Sequence, residues 1–280
     1  MIIHHLRNAS AVVQIAEHRL LVDPMFSEPG SLPSFRFLAR GGQRNPIVPL
    51  PATSEAALEG VSGVLITHEH PDHLDRPGLA WIRERGLPVW ANGVDAASLR
   101  RKGLEVHELV DGALGMRIET IPSRHGRGLV GWLMGPVAGY YLAHPDEPSL
   151  YLVGDAVLTD AVLEAIDRLQ PDVIVAPAGT ASFGLGEILF SVDELVTLAQ
   201  RAKGALLFNH LEAVDHCRTT RSQLRARMAA EGLTQRVYVP EDGEVLRFDE
   251  RRTRTHAEPR ATATPRPGLQ KWLTAKMAGT

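Results

Sequence analysis

The sequence predicts a layered α/β protein, and three observations carry that prediction. Short apolar runs rich in Val, Ile and Leu alternate with segments of helical periodicity over most of the chain. Several of those runs stop abruptly at His or Asp, as strands do where they hand over to functional loops. The chain has 280 residues, 44% of them hydrophobic, enough for a large core in one big domain or two small ones.

Residues 10–16 and 19–23 read as two strands around a turn at Glu17-His18, and the second ends in Asp23-Pro24. Residues 24–51 are rich in Pro and Gly, carry Phe26, Phe35 and Phe37, and follow no period. The interleaved aromatics suit a packed functional loop better than a linker. Val64-Leu65-Ile66 is a strand that runs straight into Thr67-His68-Glu69-His70-Pro71-Asp72-His73. Residues 76–85 form a helix that buries Leu79, Trp81 and Ile82; 88–91 form a strand, 96–102 a helix and 104–110 a strand. Residues 115–122, 130–134 and 140–143 make a local antiparallel run, with Ser123-Arg124-His125 closing its first member. A buried strand at 150–153 ends in Gly154-Asp155. Helix 159–169, strand 172–176 and a Gly-rich loop at 177–190 follow, the last without a nucleotide-binding glycine pattern. Then come helix 192–202, strand 205–208 ending in Asn209-His210, and helix 219–231. Residues 236–239 and 245–248 close the sheet.

Residues 1–250 are expected to form one domain and 251–280 a tail of Thr, Ala, Pro and Arg. The tail holds seven Lys/Arg and one Glu, a net of +6; the other 250 residues hold 23 basic and 32 acidic groups, a net of -9. Leu269, Trp272, Leu273 and Met277 fit one short amphipathic helix, either exposed or docked. The overall charge of -3 argues against a general nucleic-acid binder. Cys217 is the only cysteine, no apolar run approaches the roughly 18–20 residues of a membrane span, and the start lacks a signal-peptide pattern. The expectation is a cytoplasmic protein with a small-molecule substrate, no nucleic acid and no membrane, with a homo-oligomer left open.

His68-x-His70-x-Asp72-His73 places four potential ligands in six residues. Imidazole nitrogens and carboxylate oxygens suit zinc and similar divalent ions. His68 and His70, two apart on extended chain, point the same way. Four strand ends offer a ligand-type residue: His68, His125, Asp155 and His210. If these ends share one rim, His68, His70 and His125 hold one metal. Asp72, His73 and His210 then hold another, with Asp155 between them.

This ordered set resembles the metallo-β-lactamase superfamily of metal-dependent hydrolases over residues 5–250, with Leu21-Val22-Asp23-Pro24 similar to its first supporting motif. Arg7-Asn8-Ala9, Asn45-Pro46 and the segment from Asn209 to Cys217 look most like the bacterial branch that includes ascorbate-6-phosphate lactonase. The resemblance implies a four-layer αββα sandwich with two divalent metals at one edge of its sheets. It also implies that Asp23 steadies the site's loops without binding metal. Zinc is the default ion, with manganese, iron or nickel also open.

Two such cations supply hydroxide near neutral pH, so the expected chemistry is cleavage of an ester, lactone or phosphoester bond in a small anionic metabolite. Asp72 also orients the nucleophile. His216 gives a proton to the leaving group, supports a ligand, or is structural. Arg124 and Arg127, with Arg36, Arg40 and Arg44, are the candidates for meeting an anion. Glu69 is expected to point away from the metals, Cys217 to be a packed residue, and His4, His5, His18, His107, His144 and His256 to lie outside the site. A phosphodiesterase or nuclease of the same fold, and a metal-bearing sensor without turnover, are the alternatives.

Overall fold

A computed structural model describes residues 1–36, 41–182 and 186–251. Arg40, Gly184, His256 and the proposed helix at 269–277 lie outside them, as does nearly all of the basic tail. In chain order the elements are β1 (Ile2–Arg7), β2 (Ser10–Ile15), β3 (His18–Val22), α1 (Ser54–Leu58), β4 (Gly63–Ile66), α2 (Arg76–Arg85), β5 (Val89–Ala91), α3 (Gly93–Arg101) and β6 (Val106–Glu108). There follow β7 (Arg117–Arg124), α4 (Gly128–Met134), β8 (Pro136–Ala143), β9 (Leu150–Leu152), α5 (Asp160–Leu169), β10 (Val173–Pro177), α6 (Val192–Arg201), β11 (Ala205–Asn209), α7 (Arg221–Ala230), β12 (Val237–Tyr238) and β13 (Val245–Arg247).

The strands form two sheets, one in the order β13-β1-β2-β3-β4-β5-β6 and one in the order β12-β11-β10-β9-β8-β7. Strand periodicity builds the layers. In β4, Leu65 faces a core shared by both sheets, whereas Val64 and Ile66 face outward onto Ala57, Ile82, Ala96 and Leu99 of α1–α3. In β11, Leu207 enters the same central core, while Leu206 and Phe208 pack against Ile166, Leu195 and Leu224 of α5–α7. Helices, sheet, sheet, helices is therefore the order of layers, the αββα sandwich that the resemblance implies.

Direction explains why ligand residues meet. β3, β4, β5 and β6 are mutually parallel, as are β9, β10, β11 and β12. β7 pairs antiparallel with β8, and β8 antiparallel with β9, so β7 runs the same way as β9. The C-terminal ends of β7, β9 and β11 thus share one rim, which is where an α/β sheet collects its chemistry.

Two sequence expectations are corrected. Residues 130–134 are helical, within α4, not a strand. Val130 is buried while Leu129 and Trp132 are exposed, and Gly131 lies so close to the Gly126 carbonyl that an added Cβ would stand 2.2 Å from it. The last two strands do not close one sheet. β12 edges one sheet beside β11 and β13 edges the other beside β1. β1 and α1 were not expected from periodicity, because His4 and His5 interrupt the first and the second is only five residues long. Among the described residues, no helix is long and apolar enough to cross a membrane.

Candidate metal centre

The loop after β4 is shaped by Asp23. Its Oδ1 accepts from the Thr67 amide at 2.8 Å, its Oδ2 from the Thr67 hydroxyl at 2.6 Å, and Oδ2 also meets His73 Nδ1 at 2.8 Å. Asp23 itself sits at φ 46, a left-handed conformation that a non-glycine residue holds only when its surroundings fix it. The next anchor is Asp75, which caps α2 through Gly78 N at 2.8 Å and accepts from Ser27 N at 2.6 Å. Between these anchors, His68, His70, Asp72 and His73 are presented inward.

The seven predicted ligands fall into two groups whose donor atoms come within 4.8 Å of one another: His68, His70 and His125, and Asp72, His73, Asp155 and His210. His68 Nε2 and His70 Nδ1 face each other at 2.9 Å, two ring nitrogens that need a shared proton or cation between them. One oxygen of Asp155, Oδ2, lies 3.3 Å from His73 Nε2, 3.4 Å from His210 Nε2 and 3.6 Å from His125 Nε2, so this carboxylate touches both groups. Asp72 Oδ2 stands 3.3 Å from His210 Nε2. His73 Nε2 is buried without a hydrogen-bond partner. Buried nitrogens and carboxylate oxygens converging in this way fit divalent cations by chemistry and by geometry.

The two groups differ in charge. Burial pushes His70 down to about 3, with help from His125, and lowers His68 and His125 as well; these rings are neutral at pH 7, the form that ligates. Burial would lower His73 too, but Asp155 and Asp23 override it and raise the ring to about 10. His210 is likewise raised despite burial, first by Asp155. Burial would raise Asp72 and Asp155; the facing histidines instead hold both well below the usual carboxylate range. Without metal, protons on His73 and His210 balance these carboxylates, a charge that a cation can replace.

His216 is 6% exposed, with Nε2 4.0 Å from Asp72 Oδ2 and Nδ1 unpartnered; burial lowers it to about 4. The Phe35 ring lies 5.6 Å from it, edge to face. Arg127 bonds the Leu158 carbonyl at 3.0 Å and pairs with Glu194, and Arg44 bonds the carbonyls of Gly30 and Ser31. Arg124 is exposed beside a groove lined by Arg127, Trp132 and Thr159. Glu69 pairs with Lys102. His5 meets Asp242 at 3.3 Å and His18 the Leu114 carbonyl at 2.9 Å.

Sequence reasoning gave no role to several residues that support the site. Asn8, at φ 57, donates through Nδ2 to the Asp72 carbonyl at 3.0 Å, and its own carbonyl accepts from His210 N at 2.9 Å. Asp215 takes the Phe35 amide and the Asn45 side chain at 3.0 Å each, tying the Pro-rich loop to the segment after β11. The available signal for the first was its place in Arg7-Asn8-Ala9, and for the second its place in the segment from Asn209 to Cys217; neither told what the side chain would hold.

Residues 18–210 match the family model described as the beta-lactamase superfamily domain. The UPF0173 protein YddR of Bacillus subtilis (strain 168) is 32% identical over 255 residues, covering 89% of this chain and all of that protein. A UPF0173 metal-dependent hydrolase of Cupriavidus metallidurans is 25% identical over 228 residues, covering 73% of this chain and 75% of its own. The crystal structure of an isothiocyanate hydrolase from Delia radicum gut bacteria superposes with a TM-score of 0.81 at 29% identity, covering 89% of this chain and 99% of that one. Together with the two converging donor groups, these likenesses identify the chain as a member of the metallo-β-lactamase superfamily of metal-dependent hydrolases.

Proposed function

We propose that the protein is a dinuclear hydrolase that opens an ester or lactone at a carbonyl carbon of a small metabolite. The observation that carries this reading is the reach of Asp155 Oδ2 to histidines of both donor groups. His68, His70 and His125 would hold one cation, and Asp72, His73 and His210 the other, with Asp155 between them. Bound there, divalent ions of the zinc type supply Lewis acidity and lower the pKa of water.

The chain's own residues do the rest. Asp72, ionised and facing His210, accepts a hydrogen bond from the attacking water and orients it. His216, lowered by burial and so neutral at pH 7, offers an N–H to the substrate oxygen, which makes it the candidate for aiding the leaving group. Phe35, beside His216, shields the site. Arg44 and Arg127 already serve protein partners, whereas Arg124 stays exposed beside its groove to meet an anionic part of the substrate. The resemblance of the segment from Asn209 to Cys217 to the lactonase branch supports a lactone, and the single cysteine a reducing, cytoplasmic setting.

A second reading, hydrolysis of the electrophilic carbon of an isothiocyanate, is favoured by the likeness to the isothiocyanate hydrolase. The test is a panel of lactones, carboxylic esters, an aryl isothiocyanate and phosphodiesters, assayed with zinc, manganese, iron or nickel. Turnover of a lactone or ester, lost in His70→Ala, is expected. Turnover of the isothiocyanate alone selects the second reading. Turnover of phosphodiesters alone makes the protein a phosphodiesterase, and tight binding without turnover makes it a sensor.

A further inference from the structure

Each ligand histidine that turns Nε2 toward the centre rests its Nδ1 on something specific. His73 rests on the Asp23 carboxylate at 2.8 Å, and His125 on the Ile188 carbonyl at 2.9 Å. His68 rests on the Thr67 hydroxyl at 3.1 Å, whose own proton goes to Asp23. His210 is the exception in kind: its Nδ1 lies 3.2 Å from Cys217 Sγ, a far weaker acceptor than an oxygen.

That contact is held by packing. Gly179 lies so close that an added Cβ would stand 2.3 Å from Cys217 Sγ and 2.4 Å from the His210 carbonyl. The Gly179 carbonyl accepts from Arg218 N at 2.7 Å and Thr219 N at 3.2 Å, clamping the segment that carries Cys217. The His210 amide is fixed on Asn8 O, and its φ of 60 is a left-handed backbone conformation that this bond helps to hold. A cation held together with Asp72 and Asp155 would take Nε2 of His210, so the neutral ring would carry its proton on Nδ1, where Sγ is the atom placed to accept it.

We propose that Cys217 is a positioning residue. Its sulfur accepts the Nδ1–H of His210, fixes tautomer and ring, and thereby sets how tightly the Asp72, His73, Asp155 and His210 group holds its cation. The inference rests on the two-cation reading above. It makes this group the selectively labile one, because His68, His73 and His125 lean on oxygen acceptors.

The test is competitive zinc titration of the full-length protein against a coloured chelator, comparing wild type, Cys217→Ala and Cys217→Ser, with the cobalt spectrum of each. Cys217→Ala should weaken one of two zinc equivalents by about 10–100-fold and leave the other unchanged, the usual cost of removing a partner behind a ligand. Cys217→Ser, which restores an acceptor, should recover most of that loss. Unchanged zinc constants in Cys217→Ala overturn the proposal. So does a serine variant as impaired as the alanine one, since packing alone would then explain the effect. A thiolate-to-cobalt charge-transfer band in wild type also overturns it, because Sγ would then be on the metal. If wild type holds one equivalent instead of two, the two-cation reading falls by itself; the alanine variant's constant still decides the fate of Cys217.

Discussion

The two halves of the sandwich build the same rim in different ways. The β1–β6 half delivers four ligand residues from one loop of six residues, braced at either end by Asp23 and Asp75. The β7–β12 half delivers one residue from each of three separate strand ends: His125 after β7, Asp155 after β9 and His210 after β11. The first half is local, and a short peptide carries its pattern. The second exists only when the sheet is formed, because its three donors lie 30 and 55 residues apart along the chain. The lesson is that the second half makes the site dependent on the global fold, and Asp155 is where the two halves meet.

The comparison breaks most severely at that residue. Asp155→Ala should strip cations from both groups and abolish activity, whereas His70→Ala should empty chiefly the first group while also abolishing activity. Metal analysis after gel filtration separates the two outcomes. Equal, near-complete metal content in both variants would refute the shared role of Asp155.

Next in size is Asp23, which is buried and braces the local half through Thr67 and His73. Asp23→Ala leaves a raised, buried His73 facing fewer carboxylates. It should cost about 3–5 kcal/mol of the metal-free protein's stability in denaturant unfolding. A cost below about 1 kcal/mol, the scale of an ordinary hydrogen bond, would mean that the loop holds itself without Asp23.

The charge difference between the two groups gives the third prediction. Binding at His68, His70 and His125 displaces no proton near neutral pH, because these rings are lowered and already neutral. Binding at His73 and His210 must displace protons, because both rings are raised. One zinc constant should therefore stay flat from pH 6 to pH 8, and the other should tighten up to about tenfold per pH unit for each proton released. Stability of the metal-free protein follows the same signs. His73 binds protons more tightly folded than unfolded, so its contribution is present below about 6.5 and fades as pH rises toward 10. His70 binds them less tightly, so the fold loses stability as pH falls from about 6.5 toward 3. Chelator titrations and denaturant unfolding at several pH values check both.

The same asymmetry decides what was legible. The dense His68–His73 pattern stands in the sequence because its residues are adjacent, and the strand-end positions of His125, Asp155 and His210 are readable from the apolar runs before them. The layer order followed from resemblance, not from periodicity. α4 was misread because seven residues with two glycines carry too little period to tell helix from strand. Asn8 stands in the Arg7-Asn8-Ala9 segment, and Asp215 and Cys217 in the segment from Asn209 to Cys217, but what each supports was illegible because it acts on a partner far along the chain or across a packed contact, through a backbone carbonyl, an amide or a sulfur.

A smaller effect is expected where the Pro-rich loop meets the second half. Asp215→Ala removes the acceptor of Phe35 N and Asn45 Nδ2 without touching a ligand. KM should rise several-fold with zinc content unchanged, the signature of lost substrate positioning. Loss of zinc instead would show that the loop supports the ligands themselves.

The smallest effect belongs to Arg127, and it tests how the two halves divide recognition. Its guanidinium is half-exposed and spans the Leu158 carbonyl and Glu194, which ties the end of β7 to the start of α6. An exposed pair of this kind contributes about 0–1 kcal/mol, so Arg127→Ala should leave unfolding nearly unchanged. It should also leave KM for a neutral lactone within about twofold, since a uniform binding contact would show as a change in KM. A KM that rises only for anionic substrates would mean that Arg127 leaves Glu194 to meet them. Recognition would then belong to the strand-end half, and the loop that carries Phe35 would be merely a cover.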